Sequence, residues 1–176
     1  MRKSLLNPAA RAIVCTLAVA TIASATDAPV PEKPLQPLDF WVGHCWEGKF
    51  ADGKATDRHC FEPMLDGHFV RDRHVVRSEK PDYSGETIYW FDAATKRIKY
   101  MYFNSIGGVS TGTVDAQGER LQFPSEEYKL GDGQVQTFRT SWDRDGTDGY
   151  IARTEQQAPG KWVEVWKVHF SRVANN

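Results

Sequence analysis

Three histidines and two aspartates are the residues of this sequence best suited to chemistry. The tripeptide Asp-Arg-His occurs twice, at 57–59 and at 72–74, and His44 lies upstream of both copies. Alternate side chains of an extended strand share a face, so each Asp lies on the same side of its strand as its His. An imidazole beside a carboxylate is suited to bind a metal, to act as a general base or to orient a small ligand.

Short strands must position these side chains. Runs rich in β-branched and aromatic residues alternate with Gly, Asp and Pro turns, a pattern typical of an all-β domain. Pro124 lies inside one run and predicts a bulge there. We predict about ten strands, over residues 38–50, 55–62, 68–77, 85–91, 97–104, 108–114, 120–129, 134–142, 149–156 and 162–173.

The short connections favour an antiparallel up-and-down β-barrel, because closure removes the exposed edges of a long meander. A two-sheet β-sandwich is the alternative architecture.

The first predicted strand, 38–50, carries apolar residues at alternate positions. Leu38, Phe40, Val42, His44 and Trp46 are expected on the inner face, and Trp41 and Cys45 on the outer face.

Asp52-Gly53 is a strong signal for a two-residue hairpin turn. In that register Cys45 lies directly opposite Cys60, within the Cα distance that a disulfide accepts. We therefore predict a Cys45–Cys60 disulfide, with a reactive or metal-binding thiol pair as the alternative.

A second turn with Leu65 and Asp66 at its tip would pair the two Asp-Arg-His copies antiparallel. His59 would then face Asp72, and Asp57 would face His74, all on the inner face. The arginines of the third strand would point outward.

The predicted inner face therefore holds a candidate ligand-binding set. Its members are His44, Trp46, Asp57, His59, Phe61, Asp72 and His74. The simplest interpretation is structural: reciprocal His–Asp pairs satisfy each other's hydrogen-bonding groups inside the barrel. A second structural interpretation inverts the two faces, so that the cluster is an exposed charged surface. The first functional interpretation is a polar pocket inside a small barrel, which has room for one small ligand.

The second functional interpretation is a metal or haem site. His44, His59 and His74 are the candidate metal ligands, on three neighbouring strands. His169 is a separate haem-ligand candidate, although the alternation around it predicts an outward side chain.

The third interpretation, acid–base catalysis, lacks a nucleophile motif, since no Gly-x-Ser-x-Gly occurs. We expect no catalytic activity.

The N-terminal residues predict export. Residues 1–25 have a basic start, a short apolar run and a small-residue cleavage site, as in a secretory signal peptide. Residues 26–37 form a Pro-rich leader, and the single domain is expected over 38–173. The predicted location is periplasmic or secreted, which favours the disulfide. No later segment is apolar enough to span a membrane.

The charge of the chain argues against nucleic acid as a partner. The sequence has 22 Lys and Arg residues against 23 Asp and Glu residues. Three of the basic residues, Arg2, Lys3 and Arg11, leave with the signal peptide, so 19 remain and the mature chain is acidic. Those 19 are scattered and form no basic stripe of the kind that a phosphate backbone needs.

The opening segment Leu38-Asp39-Phe40-Trp41-Val42-Gly43-His44-Cys45-Trp46-Glu47-Gly48 resembles the first strand of the calycin-type barrels. These include lipocalins, fatty-acid-binding proteins and nitrobindin-like proteins, and the segment is most similar to uncharacterised bacterial exported domains of this type. The resemblance implies a closed barrel whose lumen holds a small, often apolar ligand. A nitrobindin-like site would need an inward histidine late in the chain. The chain lacks the C-terminal helix of lipocalins.

From these observations we expect an exported, non-catalytic protein that binds a small apolar or amphipathic molecule. A metal- or haem-binding protein that uses the His/Asp cluster, with or without enzymatic activity, is the alternative.

Overall fold

The protein folds as a closed antiparallel barrel of ten strands in chain order, with β1 paired to β10. The structure, a computed structural model, describes residues 32–78, 80–130 and 132–175. The strands are β1 Cys45–Lys49, β2 Thr56–Met64, β3 Phe69–Arg77, β4 Tyr83–Asp92, β5 Arg97–Asn104, β6 Val109–Gln117, β7 Arg120–Lys129, β8 Val135–Arg144, β9 Gly149–Ala158 and β10 Lys161–Val173. The barrel prediction is confirmed, and the sandwich alternative is wrong.

The first strand is shorter than predicted, because residues 38–44 do not form strand. A 3₁₀ turn covers Gln36–Leu38, and Trp41 donates its backbone N–H to the Leu38 carbonyl. The apolar residues Leu35, Leu38 and Trp41 recur every third position, which is the 3₁₀ repeat, and all three are buried. The alternation at 38, 40 and 42 had suggested a strand with Trp41 outside, and that expectation is wrong.

The segment 35–41 closes one end of the barrel. Trp41 packs against Trp142 and Tyr150, and Phe40 stacks on Trp46. These contacts fill the end of the barrel at which β2 leads into β3. The core is therefore densest at this end, and the lumen opens toward the other.

The hairpin between β1 and β2 has the predicted register. Cys45 lies opposite Cys60, Trp46 opposite His59 and Glu47 opposite Arg58. Cys45 and Cys60 form a disulfide, as predicted. The cross-link and the hairpin turn together fix which face of β2 points inward.

The register between β2 and β3 differs from the prediction by two residues. His59 lies opposite His74, and Phe61 lies opposite Asp72. The loop comprises residues 65–68 rather than two, because Leu65, Asp66 and Gly67 all have positive φ and the last pair is Met64 with Phe69. A shift of two residues keeps every side chain on its predicted face.

The predicted irregularity at Pro124 is confirmed. The pairing of β7 with β8 shifts between Phe123 and Glu126, where Pro124 supplies no backbone donor. Two further register shifts were not predicted. One lies in the pairing of β6 with β7, and the other lies between Glu164 and Trp166 in the pairing of β10 with β9.

The predicted signal peptide and most of the Pro-rich leader lie outside the described residues. Within 32–78, 80–130 and 132–175, no helix is both long enough and apolar enough to cross a membrane.

Loss of the disulfide should lower the free energy of unfolding by about 3 kcal/mol, because Cys45 and Cys60 are 15 residues apart. The double variant Cys45→Ala/Cys60→Ala, compared with the oxidised protein by urea unfolding, tests this. A reductant should weaken the parent protein by a similar amount and leave the double variant unchanged. Equal free energies of unfolding for the parent protein and the double variant, each with and without reductant, would contradict the prediction.

Trp41→Ala should lower the free energy of unfolding by about 3–5 kcal/mol, since the side chain is 1% exposed and caps the core. Trp162→Ala is the matched control, because Trp162 lies on the outer surface against Arg139, and its loss should be much smaller. Similar losses in the two variants would mean that the segment 35–41 does not close the barrel.

Candidate functional site

A chain of hydrogen bonds links the two Asp-Arg-His copies across β2 and β3. His59 Nδ1 lies 2.8 Å from Asp72 Oδ2, and His59 Nε2 lies 3.1 Å from Asp57 Oδ2. His74 Nδ1 lies 3.2 Å from Asp57 Oδ1. Each histidine therefore bonds the aspartate of the other copy, as predicted, but along the diagonal of the sheet. Directly across the strands, the two imidazoles stack with ring centroids 4.8 Å apart.

His59 is held as an imidazolium. Both of its ring nitrogens contact carboxylate oxygens, which only accept, so both nitrogens must donate. Burial alone would lower the pKa of His59, but the charges of Asp72 and Asp57 outweigh it and raise the pKa well above 6.5. Burial likewise opposes ionisation of Asp57, yet His59 and His74 hold its pKa well below 3.8.

Two tyrosines extend the chain from His74. The His74 Nε2 atom lies 3.1 Å from the Tyr102 hydroxyl, which also bonds the Tyr83 hydroxyl. Burial raises the pKa of Tyr102 to about 12, and burial together with Tyr102 raises that of Tyr83 further. Both phenols therefore stay protonated, and a continuous chain of polar contacts runs from Tyr83 through Tyr102 and His74 to Asp57.

This chain forms one wall of a cavity of about 440 Å³ inside the barrel. The other walls are mostly aromatic, and the cavity extends toward the open end, where Ile106 and Leu130 lie. Among the lining residues are Asp57, His59, Asp72, His74, Tyr83, Tyr89, Tyr100, Tyr102, Tyr128, Tyr150, Phe123, Phe138, Phe170, Trp142 and Trp166. A cavity of this volume is within the range of small-molecule sites.

Two polar atoms in the cavity wall have no hydrogen-bond partner within the described residues. They are Asp72 Oδ1 and the Tyr150 hydroxyl. Asp72 is 2% exposed and Tyr150 is fully buried. Leaving such groups unsatisfied costs about 1–3 kcal/mol each.

Four of the seven predicted ligand-binding residues line the cavity: Asp57, His59, Asp72 and His74. Trp46 and Phe61 are buried in the core beside it. His44 lies in the turn before β1, with its ring centroid 6.2 Å from that of Trp46, and it does not join the cluster. Its expected place on an inner strand face depended on residues 38–44 being strand.

The structure groups different metal-ligating residues from those predicted. Asp57, His59 and His74 have ligand atoms within 4.8 Å of one another, whereas His44 is not in this group. The aspartate takes the place that the sequence had suggested for a third histidine.

A haem site of the nitrobindin kind does not fit these residues. His169 points outward as predicted, and its Nε2 lies 3.0 Å from Asp145 Oδ2 on the surface. In the cavity, all four ring nitrogens of His59 and His74 are engaged by Asp57, Asp72 or Tyr102. No imidazole nitrogen of the lining is free to ligate iron.

Sequence reasoning missed the tyrosines of the site. Tyr83 lies before the predicted start of β4, Tyr102 lies two strands from His74, and Tyr150 lies on β9, so no single turn predicts that these side chains meet the cluster. The alternation of Tyr100 and Tyr102 on one face of β5 was the available signal.

Comparisons with known proteins inform the fold alone. No protein-family model matches the chain, and no curated protein matches it. The crystal structure of Rv2717c from M. tuberculosis is similar, with a TM-score of 0.53 and 14% sequence identity. The similarity covers 80% of this chain and 98% of that one. At this identity it supports a shared barrel architecture and carries no information on a site.

The paired cluster should give the protein a stability maximum in mildly acidic solution. Folding raises the pKa of His59 above 6.5, so its contribution is complete below pH 6.5 and is lost as the pH rises through the folded-state value. Folding lowers the pKa of Asp57 below 3.8, so its contribution is present above pH 3.8 and is lost in acid.

Urea unfolding between about pH 5 and about pH 9 should therefore show stability falling above neutrality. His59→Gln should remove this slope, and His169→Gln, at an exposed histidine, should retain it. A slope that persists in His59→Gln would assign the effect to another group.

Proposed function

We propose that this protein is an exported binding protein that holds one small apolar or amphipathic molecule in the lumen of its barrel and does not catalyse a reaction. The observation that carries the proposal is the aromatic cavity of about 440 Å³ with two unpartnered polar atoms in its wall. Apolar walls with a few fixed polar groups are the usual composition of a ligand pocket.

Three further observations support this proposal. The closed ten-stranded barrel is the architecture that the calycin resemblance implies, and a ligand-carrying lumen is the common feature of that group. The Cys45–Cys60 disulfide suits an oxidising compartment, in keeping with the predicted signal peptide. The lumen stays open because the segment 35–41 fills only one end.

The contacts of the histidines argue against catalysis. A general base needs a free nitrogen within reach of a nucleophile or substrate. The nitrogens of His59 contact two carboxylates, and those of His74 contact Asp57 and Tyr102.

A zinc site is the second candidate function. The Asp57, His59 and His74 group favours it, since three ligand atoms already lie close together. Zinc would have to displace a proton from His59 and break its bond to Asp57, so the pairs that stabilise the apo cluster oppose metal binding.

Thr154→Phe should block ligand binding by filling the cavity. Thr154 is buried in the lining of the cavity and bonds Thr140. Its neighbour Arg153 is exposed on the outer face of β9, so Arg153→Phe adds the same side chain outside the barrel. Binding of the neutral fluorescent probe N-phenyl-1-naphthylamine should weaken about tenfold or more in Thr154→Phe and remain unchanged in Arg153→Phe.

Thermal unfolding of each variant separates blocking from misfolding, because overpacking costs about 1–3 kcal/mol. Equal probe binding by the two variants would place the probe outside the lumen and contradict the proposal. A stoichiometric zinc mass in the native mass spectrum, lost on His74→Ala, would favour the metal site instead.

A further inference from the structure

The rim at the open end of the barrel carries a continuous row of exposed side chains that are mostly apolar. Phe103, Val109, Lys129 and Val135 lie directly opposite one another in successive strand pairs from β5 to β8. They alternate with residues that face the lumen, so they point outward. Ile106, in the loop between β5 and β6, extends the row to the tip of the rim. The four apolar residues Phe103, Ile106, Val109 and Val135, here called the apolar rim, are each between 39% and 62% exposed.

The apolar rim borders the mouth of the lumen. Ile106 is exposed to solvent and also lines the cavity, so the rim is continuous with the cavity wall. Single exposed apolar residues are common on proteins, whereas contiguous ones mark a surface that contacts a partner, a ligand or a membrane. Removing these side chains from water therefore contributes binding free energy to whatever covers the mouth.

Basic residues predominate at this end of the barrel. The open end comprises five connections, taken with the strand residues that bound them: 49–56, 77–83, 104–109, 129–135 and 158–161. Six basic and four acidic residues lie in these ranges. The acidic residues are Asp52, Glu79, Asp82 and Asp132. The basic residues are all exposed, and they are Lys49, Lys54, Arg77, Lys80, Lys129 and Lys161.

The closed end has the opposite balance of charge. Its connections, 64–69, 92–97, 117–120 and 144–149, together with the segment 35–44, contain four basic and six acidic residues. The basic residues are Lys96, Arg97, Arg120 and Arg144, and the acidic residues are Asp39, Asp66, Asp92, Glu119, Asp145 and Asp148.

The two ends are too far apart for these charges to act on one surface together. A strand of ten residues, such as β4, is about 33 Å long, and a tilt of about 45° still leaves about 23 Å between the ends of the barrel. The Debye length at physiological ionic strength is about 8 Å. A charged surface at the open end therefore interacts with the basic end and is screened from the acidic one.

The partner that fits the open end is an anionic surface with an apolar layer beneath it. A lipid bilayer with anionic headgroups has both properties, since interfacial binding combines burial of apolar area with attraction to the headgroups. Lys129 in the middle of the row suits such a surface, because a lysine buries its aliphatic stem beside apolar neighbours and keeps its ammonium at the headgroups. A second copy of the chain fits less well, because a twofold contact through this row would bring two basic ends together.

From these observations we propose that the open end of the barrel docks on an anionic lipid bilayer, with the apolar rim in the headgroup region and the exposed lysines against the phosphates. This docking surface goes beyond the proposed function. In the docked state the mouth of the lumen faces the bilayer, and an apolar ligand passes between lipid and cavity without crossing bulk water. That consequence alone rests on the proposed function.

Binding to vesicles tests the docking. The purified protein is mixed with large unilamellar vesicles of phosphatidylcholine alone, or of phosphatidylcholine with an equal amount of phosphatidylglycerol, and the bound fraction is measured by flotation. We expect about tenfold or more tighter binding to the vesicles with phosphatidylglycerol, and a loss of this preference as salt is added. Equal binding to the two kinds of vesicle, or binding to neither, would overturn the proposal.

Two matched pairs of variants locate the contact. Val135→Asn removes an apolar side chain of the rim, and Leu65→Asn removes one that is 68% exposed at the closed end. Lys129→Gln and Lys96→Gln each remove one charge, from the open and the closed end respectively. We expect affinity for the phosphatidylglycerol vesicles to fall about fivefold or more in Val135→Asn and about threefold or more in Lys129→Gln. The two closed-end variants should bind as the parent protein does.

Thermal unfolding of the four variants confirms that each is folded before its binding is compared. Equal losses of vesicle affinity within each pair would place the contact elsewhere on the protein and contradict the proposal. Sedimentation velocity tests the other occupant of the rim. A dimer that Val135→Asn disrupts, in a protein that binds no vesicles, would assign the rim to a second copy of the chain.

The outcomes distinguish the docking surface from the proposed function. Binding of N-phenyl-1-naphthylamine, measured without vesicles, reports on the lumen and should be unchanged in Val135→Asn, which lies outside the cavity. If the probe binds and the vesicles do not, the docking proposal fails and the lumen remains a binding site. If the vesicles bind through the rim and the probe does not bind, the docking surface stands and the proposed function fails.

Discussion

The bridge that His59 makes between Asp57 and Asp72 is the interaction on which the interior of this barrel depends. Two carboxylates buried on adjacent strands would repel each other and would be costly to desolvate. One imidazolium between them offsets both effects, because each of its nitrogens donates to one carboxylate. Without that bridge, the barrel could not keep two aspartates on an inner face that is otherwise apolar.

The position of the bridge depends on constraints at both ends of β2. At its start, the hairpin turn fixes the register of β2 against β1, and the Cys45–Cys60 disulfide holds the middle of the strand, with Trp46 directly opposite His59. At the other end, the four-residue loop 65–68 sets the register against β3. The direct pairing of His59 with His74 in that register stacks the imidazoles and leaves the His–Asp bonds diagonal.

Local patterns in the sequence predicted the fold and part of the site, because period-two alternation and turn chemistry act over a few residues. Asp52-Gly53 sufficed to pair the cysteines correctly. The loop 65–68 contains two non-glycine residues with positive φ, for which the sequence offers only a weak signal, so the β2–β3 register was wrong by two. The error did not invert the face, and for that reason the His/Asp cluster was still placed inside.

Two parts of the site could not be predicted for physical reasons. The apolar residues of the segment before β1 fit two patterns: Leu38, Phe40 and Val42 alternate as in a strand, whereas Leu35, Leu38 and Trp41 are spaced by three as in a 3₁₀ turn. The second pattern is the one observed, because it buries Leu35, Leu38 and Trp41 in the end of the barrel. Tyr83 lies before the predicted start of its strand at residue 85, and Tyr102 lies two strands away from His74, so no single turn sets their positions. Tyr102 reaches His74 because β4 lies between their strands with Gly85, where an added Cβ would lie 2.6 Å from both His74 Nε2 and the Tyr102 ring.

Gly85 shows how the polar wall and the barrel are coupled. Glycine is needed there because the His74–Tyr102 bond passes directly over its backbone, and any side chain would separate the imidazole from the phenol. With that bond in place, Nε2 of His74 contacts Tyr102, and Nδ1 lies 3.2 Å from Asp57 Oδ1. The carboxylate oxygen left over at the end of the chain is Asp72 Oδ1. The polar wall of the lumen is therefore one chain of contacts, which runs from Tyr83 on β4 by way of Tyr102, His74, Asp57 and His59 to Asp72 on β3.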